Sequence, residues 1–260
     1  MINRVPLTRG RVLALVIGVP LVVAIIGWSA LTAVAFAGQG SYPVRVNLPV
    51  RGGGTVDFSV DSGDVTVGQT AGDRLVATGT AHYSLVRSAV IRSVTASGTT
   101  VSSHCRFVTG QCSFNYRVGL PTGVRAVLAS GSGDLMLRGL SGYVNAAAGS
   151  GDIAGTGLSG PQVTFESGSG DITVSGLASA AVTASAGSGN VTLTFTKVPR
   201  RVTVSASSGD VRVVLPRGRT LYQVHAIASA GNTVVRVPRS SVSPYVINVN
   251  DGSGNIFVTH

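Results

Sequence analysis

Ser169-Gly170-Asp171-Ile172-Thr173-Val174 is one copy of a phrase that recurs down this chain, and its spacing decides the fold. The same turn stands at Ser132-Gly133-Asp134, Ser150-Gly151-Asp152, Ser188-Gly189-Asn190 and Ser208-Gly209-Asp210, with looser copies at Ala230-Gly231-Asn232 and Ser253-Gly254-Asn255. Successive Asp/Asn positions are 18, 19, 19, 20, 22 and 23 residues apart. A period of about 20 with one turn and short β-prone runs per unit marks a β-solenoid or β-roll, in which each coil buries its apolar face against its neighbours.

Each unit from Asp134 onward reads as two strands. One follows the acid, as in Leu135-Met136-Leu137 and Val191-Thr192-Leu193; the other precedes the next turn, as in Val163-Thr164-Phe165 and Val182-Thr183-Ala184. Period-two alternation of β-branched residues predicts half-buried strands. Stacking would place Ile153, Ile172, Val191 and Val211 in one inward ladder and Val163, Val182 and Val202 in another, with Phe165, Ala184 and Val204 beside the latter. An earlier turn, Ser62-Gly63-Asp64, stands 70 residues before Asp134. The irregular strands between them are expected to cap the open end of the stack, which would otherwise offer unpaired backbone groups. The expected fold is therefore all-β: a single-stack β-solenoid of about 20-residue coils with an irregular β cap, spanning residues 46–260.

The Gly of each turn permits positive φ, and the Asp or Asn after it can bond nearby backbone amides. Asp64, Asp134, Asp152, Asp171, Asn190, Asp210, Asn232 and Asn255 are accordingly read as turn-capping positions. A calcium ladder is the competing reading, but the calcium-binding repeat has a period of nine, whereas each turn here offers one acid and several offer neutral Asn. No metal site and no cofactor are expected. Thr164, Thr183 and Thr203, with Thr173 and Thr192, form outward hydroxyl rows of the kind that high β propensity favours.

Residues 12–37 carry no charge, and Arg4, Arg9 and Arg11 precede them. A run of this length is enough to cross a bilayer, and the preceding basic residues hold the amino end in the cytoplasm. The expectation is a cytoplasmic stretch over 1–11, a transmembrane anchor or signal sequence over 12–37, a linker over 38–45, and an extracytoplasmic β domain. Ala35-Phe36-Ala37 offers a cleavage site, so secretion after processing near Ala37 is the alternative. The two cysteines, Cys105 and Cys112, lie seven apart and are expected to form a disulfide outside the cytoplasm.

The chain carries 20 basic and 10 acidic residues, and Lys197 is its sole lysine. Codon composition accounts for much of the Arg bias. The basic stretch of Lys197, Arg200, Arg201, Arg212, Arg217 and Arg219 could also contact anionic envelope polymers or phospholipid headgroups. It lacks interleaved aromatics and any nucleic-acid module, so no nucleic-acid partner is expected. Neither a nucleophile elbow, nor a zinc-protease helix motif, nor a Cys-x-x-Cys pair is present. Gly155-Thr156-Gly157-Leu158-Ser159-Gly160 satisfies Gly-x-Gly-x-x-Gly, but no helix follows it and the chain holds 35 glycines. No catalytic residue is assigned.

These repeats, with Asp64-Val65-Thr66-Val67, Tyr116-Arg117-Val118-Gly119-Leu120-Pro121 and the run from Ser130 to Pro216, resemble a bacterial β-strand-repeat family of uncharacterised function labelled "putative adhesin". The resemblance covers about residues 46 to 258. It implies a cell-surface role without catalytic or binding residues to transfer. The functional expectation is a membrane-anchored, non-catalytic envelope or interaction module. A scaffold or sensor partner of an envelope-stress system and a glycan-active β-helix enzyme are the alternatives.

Overall fold

The computed structural model describes residues 17–29, 38–51, 53–106 and 111–260. A helix spans 17–29, and the rest of the described chain is strands and turns. After β1 (Gln39–Pro49) comes a first coil of β2 (Thr55–Ser62) and β3 (Val65–Gln69). Two irregular strands follow, β4 (Arg74–Ser84) and β5 (Ala89–Val94), and then a second coil of β6 (Gly98–His104) and β7 (Cys112–Leu120). The central coils pair β8 (Arg125–Ser132) with β9 (Leu135–Arg138), β10 (Val144–Ala148) with β11 (Ile153–Thr156) and β12 (Gln162–Ser167) with β13 (Ile172–Leu177). They continue with β14 (Ala181–Ala186) and β15 (Val191–Phe195), then β16 (Arg201–Ala206) and β17 (Val211–Val214). The last two coils are β18 (Gln223–Ala230) with β19 (Thr233–Val235) and β20 (Val246–Ser253) with β21 (Ile256–Thr259).

Each coil contributes one strand to each of two walls. One wall runs β1-β4-β7-β3-β9-β11-β13-β15-β17-β21-β19, and the other runs β18-β20-β16-β14-β12-β10-β8-β2-β6-β5. Coil meets coil in parallel register, so Ile153, Ile172, Val191 and Val211 are direct neighbours in one wall, as are Val163, Val182 and Val202 in the other. All seven are at most 1 % exposed. Alternate residues along the central strands face inward, with one register shift in β13 between Val174 and Leu177, so modest aliphatic side chains fill the space between the walls. Phe165 is fully buried between Ala146 and Ala184 of the adjacent coils, whose small side chains leave room for its ring. The Thr164-Thr183-Thr203 and Thr173-Thr192 rows face out, and Arg212 ends the second.

Coil order departs from chain order at both ends. β2–β3 lies between β6–β7 and β8–β9, and β20–β21 lies between β16–β17 and β18–β19. The corner file therefore runs Asp210, Asn255, Asn232 rather than in numerical order. The connections explain this: residues 215–222 and 236–245 are longer than the 196–200 corner and can step past one coil and back. The amino-terminal irregularity is an antiparallel extension of both walls, through β1–β4, β4–β7 and β5–β6.

Two expectations need correction. The stretch 38–45, expected as a linker, forms most of β1: Val44 and Val46 are buried, Tyr42 and Leu48 pack on the core, and Pro43 is tolerated because β1 is an edge strand. No helix among the described residues is long and apolar enough to cross a membrane. The helix over 17–29 covers about 20 Å, and the rest of the predicted span, 12–16 and 30–37, lies outside the described residues, as does 1–11.

Candidate interaction surfaces

The two corners that join the walls differ chemically. At one of them the Asp/Asn residues form a single file. Within it, the side-chain Oδ1 of each residue accepts from the backbone N–H of its counterpart in the neighbouring coil. In stack order Asn115 accepts from Asp64 (3.1 Å), Asp64 from Asp134 (3.0 Å), Asp134 from Asp152 (2.9 Å) and Asp152 from Asp171 (2.8 Å). The file continues from Asp171 to Asn190 (2.7 Å), Asn190 to Asp210 (2.9 Å), Asp210 to Asn255 (2.9 Å) and Asn255 to Asn232 (3.1 Å). These side chains thus tie each coil to the next, where sequence reading placed them as caps of their own turns. Where Asn follows Asp, its Nδ2 also donates to that carboxylate, at 3.3 Å for Asn190 and 3.0 Å for Asn255. Asn115 heads the file without a preceding Ser-Gly; its signal in the sequence is the alternating Tyr116-Arg117-Val118 that follows it, as Val65-Thr66-Val67 follows Asp64.

The glycines beside this file serve two purposes. Gly133 and Gly209 adopt φ of 136° and 124°, where a side chain is strained. Gly151, Gly170 and Gly189 do not, contrary to expectation; a Cβ there would strike the carbonyl of the glycine in the preceding coil, Gly133, Gly151 and Gly170 respectively. Close coil contact is what excludes larger residues at these three.

At the head of the same corner the turn is expanded. Three residues (61–63) separate the registered positions Val60 and Asp64, whereas eleven (104–114) separate Ser103 and Asn115. The Cys105–Cys112 disulfide closes this insertion. Asp61 anchors it to the first coil, with Oδ1 3.1 Å from His104 Nδ1 and Oδ2 accepting from the Cys105 N–H at 2.9 Å. An open groove nearby is lined by Asp64, Thr66, Thr78, Thr80, Asn115 and Arg117. Among the described residues no three His, Cys, Asp or Glu side chains form a metal-binding group.

The opposite corner, toward the carboxy-terminal end, is basic. Its three connections are 196–200, 215–222 and 236–245, and they are knit together: Val246 N–H donates to the Arg200 carbonyl, Gln223 N–H to Tyr245, Ser240 N–H to Tyr222, and the Ser243 hydroxyl to the Leu221 carbonyl at 2.6 Å. The Tyr222 ring, fully buried, meets Tyr245 at 6.3 Å beneath them. Lys197, Arg200, Arg201, Arg217 and Arg219 gather here, joined by Arg236 and Arg239, and all are exposed. Arg212 does not join them: it lies on the outer face of β17, with its guanidinium 5.0 Å from the Phe257 ring centre. After Asp171 the sequence holds two acids, Asp210 on the opposite corner and Asp251, buried at 3 % exposure. Among the described residues the ion pair recorded is Asp61–His104, so none of these cations is neutralised by a salt bridge.

Residues 122–243, from the corner before β8 into the connection before β20, match the family model described as Toastrack DUF4097. Over this stretch the chain is similar to that family. The Toastrack match covers the central coils and most of the basic corner, while the antiparallel extension and the last coil lie outside it. No curated protein matches the chain. Among solved structures, one of a "putative lipid binding protein" from Parabacteroides distasonis is 14 % identical, covering 84 % of this chain and 96 % of that one at a TM-score of 0.45. A "putative cell adhesion protein" from Clostridium sporogenes is 12 % identical over 85 % and 99 % at 0.37, and a "putative adhesin" from Parabacteroides merdae 9 % identical over 84 % and 95 % at 0.35. Likeness at these scores carries no argument about ligand or activity.

Proposed function

We propose that this chain is a non-catalytic, extracytoplasmic interaction module that holds anionic envelope material on its basic corner and is tethered to the membrane through its amino-terminal apolar segment. The carrying observation is the segregation of charge. Seven exposed cations share one corner with no acid beside them, and the carboxylates of the repeat line the other. Folding by stability alone does not require this, since like charges brought together repel; a polyanion offsets the repulsion and releases its counterions on binding. The tether is supported by the helix over 17–29, on which Ile17, Leu21, Val23, Ile26 and Trp28 are each more than half exposed. Such a surface calls for apolar surroundings.

Retention on isolated cell wall and on a sulfated-polysaccharide resin tests this reading. Binding is expected to weaken steeply with salt and to fall about tenfold or more when Arg200, Arg201, Arg217 and Arg219 are replaced by Ser. Retention that is salt-independent or unchanged by those replacements would contradict it.

A further inference from the structure

The basic corner carries a second feature that charge alone does not explain. Val198, Leu221 and Val242 are 36 %, 50 % and 88 % exposed, and each lies in a different one of its three connections. Apart from the disulfide-closed insertion, the turns of the opposite corner, by contrast, hold no large apolar residue. Across the body of the stack from β8 to β15 the large apolar side chains left exposed are Met136 at 37 % and Tyr143 at 40 %, neither on a loop with clustered cations. The three tips are not the product of loose loops. Tyr222 and Ser243 are buried directly beside Leu221 and Val242, the Ser243 hydroxyl holds the Leu221 carbonyl, and Pro199 is buried next to Val198. The scaffold turns its anchors inward at these points and its apolar tips outward.

We infer that this corner docks on an anionic phospholipid surface, with Val198, Leu221 and Val242 entering the headgroup–acyl boundary while Lys197, Arg200, Arg201, Arg217, Arg219, Arg236 and Arg239 engage lipid phosphates. Charge complementarity selects an anionic partner. The apolar tips select lipid over a soluble polymer, because a hydrated polyanion gives them nothing to enter. Arg suits the role: its guanidinium is weakly hydrated and binds phosphate oxygens in pairs. The inference rests on the polyanion-binding reading above and narrows it to one class of partner.

The test uses the full chain held in zwitterionic nanodiscs, so that the amino-terminal apolar segment is already occupied, mixed with vesicles of phosphatidylglycerol or of phosphatidylcholine and separated by flotation. Phosphatidylglycerol vesicles should be captured and phosphatidylcholine vesicles should not. The triple variant Val198→Ser, Leu221→Ser, Val242→Ser should lose about tenfold in vesicle affinity yet keep its retention on the sulfated resin. The quadruple Arg→Ser variant should lose both. A triple variant that binds phosphatidylglycerol vesicles like the parent would overturn lipid docking and leave the polyanion reading standing. Equal loss on vesicles and resin in the triple variant would also overturn it, since the tips would then not be specific to lipid. A quadruple variant unchanged on both would remove the polyanion reading itself. All substituted positions are exposed, and matched thermal unfolding identifies any variant whose fold has been damaged.

Discussion

At the scale of single residues, the Asx file makes the function of the repeated acid a matter of one oxygen. Each Oδ1 holds the next coil by its backbone N–H, and Asn presents the same oxygen as Asp without the charge. Asp134, Asp152 and Asp171 are consecutive in the stack, so their carboxylates repel by roughly 1 kcal/mol in a water-like dielectric at strand spacing. Asp152→Asn should therefore leave stability unchanged or slightly raised, whereas Asp152→Ala should cost about 1 kcal/mol through the lost acceptor; urea unfolding of the pair measures both. Tyr116 gives a pH signature. Burial lifts its phenol above the ordinary 10.0, and the hydrogen bond shared with the Ser103 hydroxyl at 2.9 Å partly opposes the shift. A folded pKa above the unfolded one means that the folded state binds the proton more tightly. Its contribution is complete below about pH 10 and is lost as pH rises through the folded value. Unfolding curves taken across that range should show an alkaline loss that Tyr116→Phe reduces. The file was legible in the sequence as a column of Asp and Asn, but not its direction. A residue able to cap its own turn is equally able to reach the next coil, and only the stacking distance decides between them. Asn115 was hidden because the disulfide-closed insertion replaces the Ser-Gly that marks the other turns.

At the scale of elements, the first and last coils in chain order are locked inside the stack. An ordinary solenoid frays from its terminal coils, because each is held on one side. Here the first coil, β2–β3, and the last, β20–β21, each have a coil on either side. Removing residues 246–260 should therefore strip two coils rather than one, because β18–β19 pairs only through β20–β21. Hydrogen exchange on the truncated chain should show β18 and β19 unprotected, while in the full chain β20 and β21 are as protected as the centre. Phe165→Ala should cost about 3–5 kcal/mol, since Ala146 and Ala184 cannot fill the space its ring leaves. The sequence displayed the coils and their inward rows because the period of two is written in every strand. It did not display the coil order, because equivalent strands present the same register to any neighbour. The lengthened intervals of 22 and 23 residues are the trace of the skipped slot. Residues 38–45 were obscured by their Gly, Ser and Pro, under which Tyr42, Val44, Val46 and Leu48 keep the alternation of a strand.

At the scale of the whole molecule, the stack works as a charge separator. The nine coils of the described residues, at strand spacing, make a prism about 40 Å long. Because each turn returns to the same corner once per coil, whatever a corner residue carries is written as a line. The Asp-bearing turns and the Arg-bearing connections alternate along the sequence and become opposite edges in space. The topology converts an alternation written in the sequence into two separated edges. The basic stretch was visible in the sequence, but its isolation from Asp210 and the outlying position of Arg212 emerge only when the coils close. The most direct measurement compares the two edges in one binding assay: the salt-dependent affinity of the full chain for isolated cell wall, with Arg200, Arg201, Arg217 and Arg219 changed to Ser in one variant and Asp134, Asp152 and Asp171 changed to Asn in another. The first variant should lose about tenfold or more and most of its salt dependence, and the second should bind as well as the parent or better. Equal loss from both, or loss from the second alone, would contradict the assignment of binding to the basic edge.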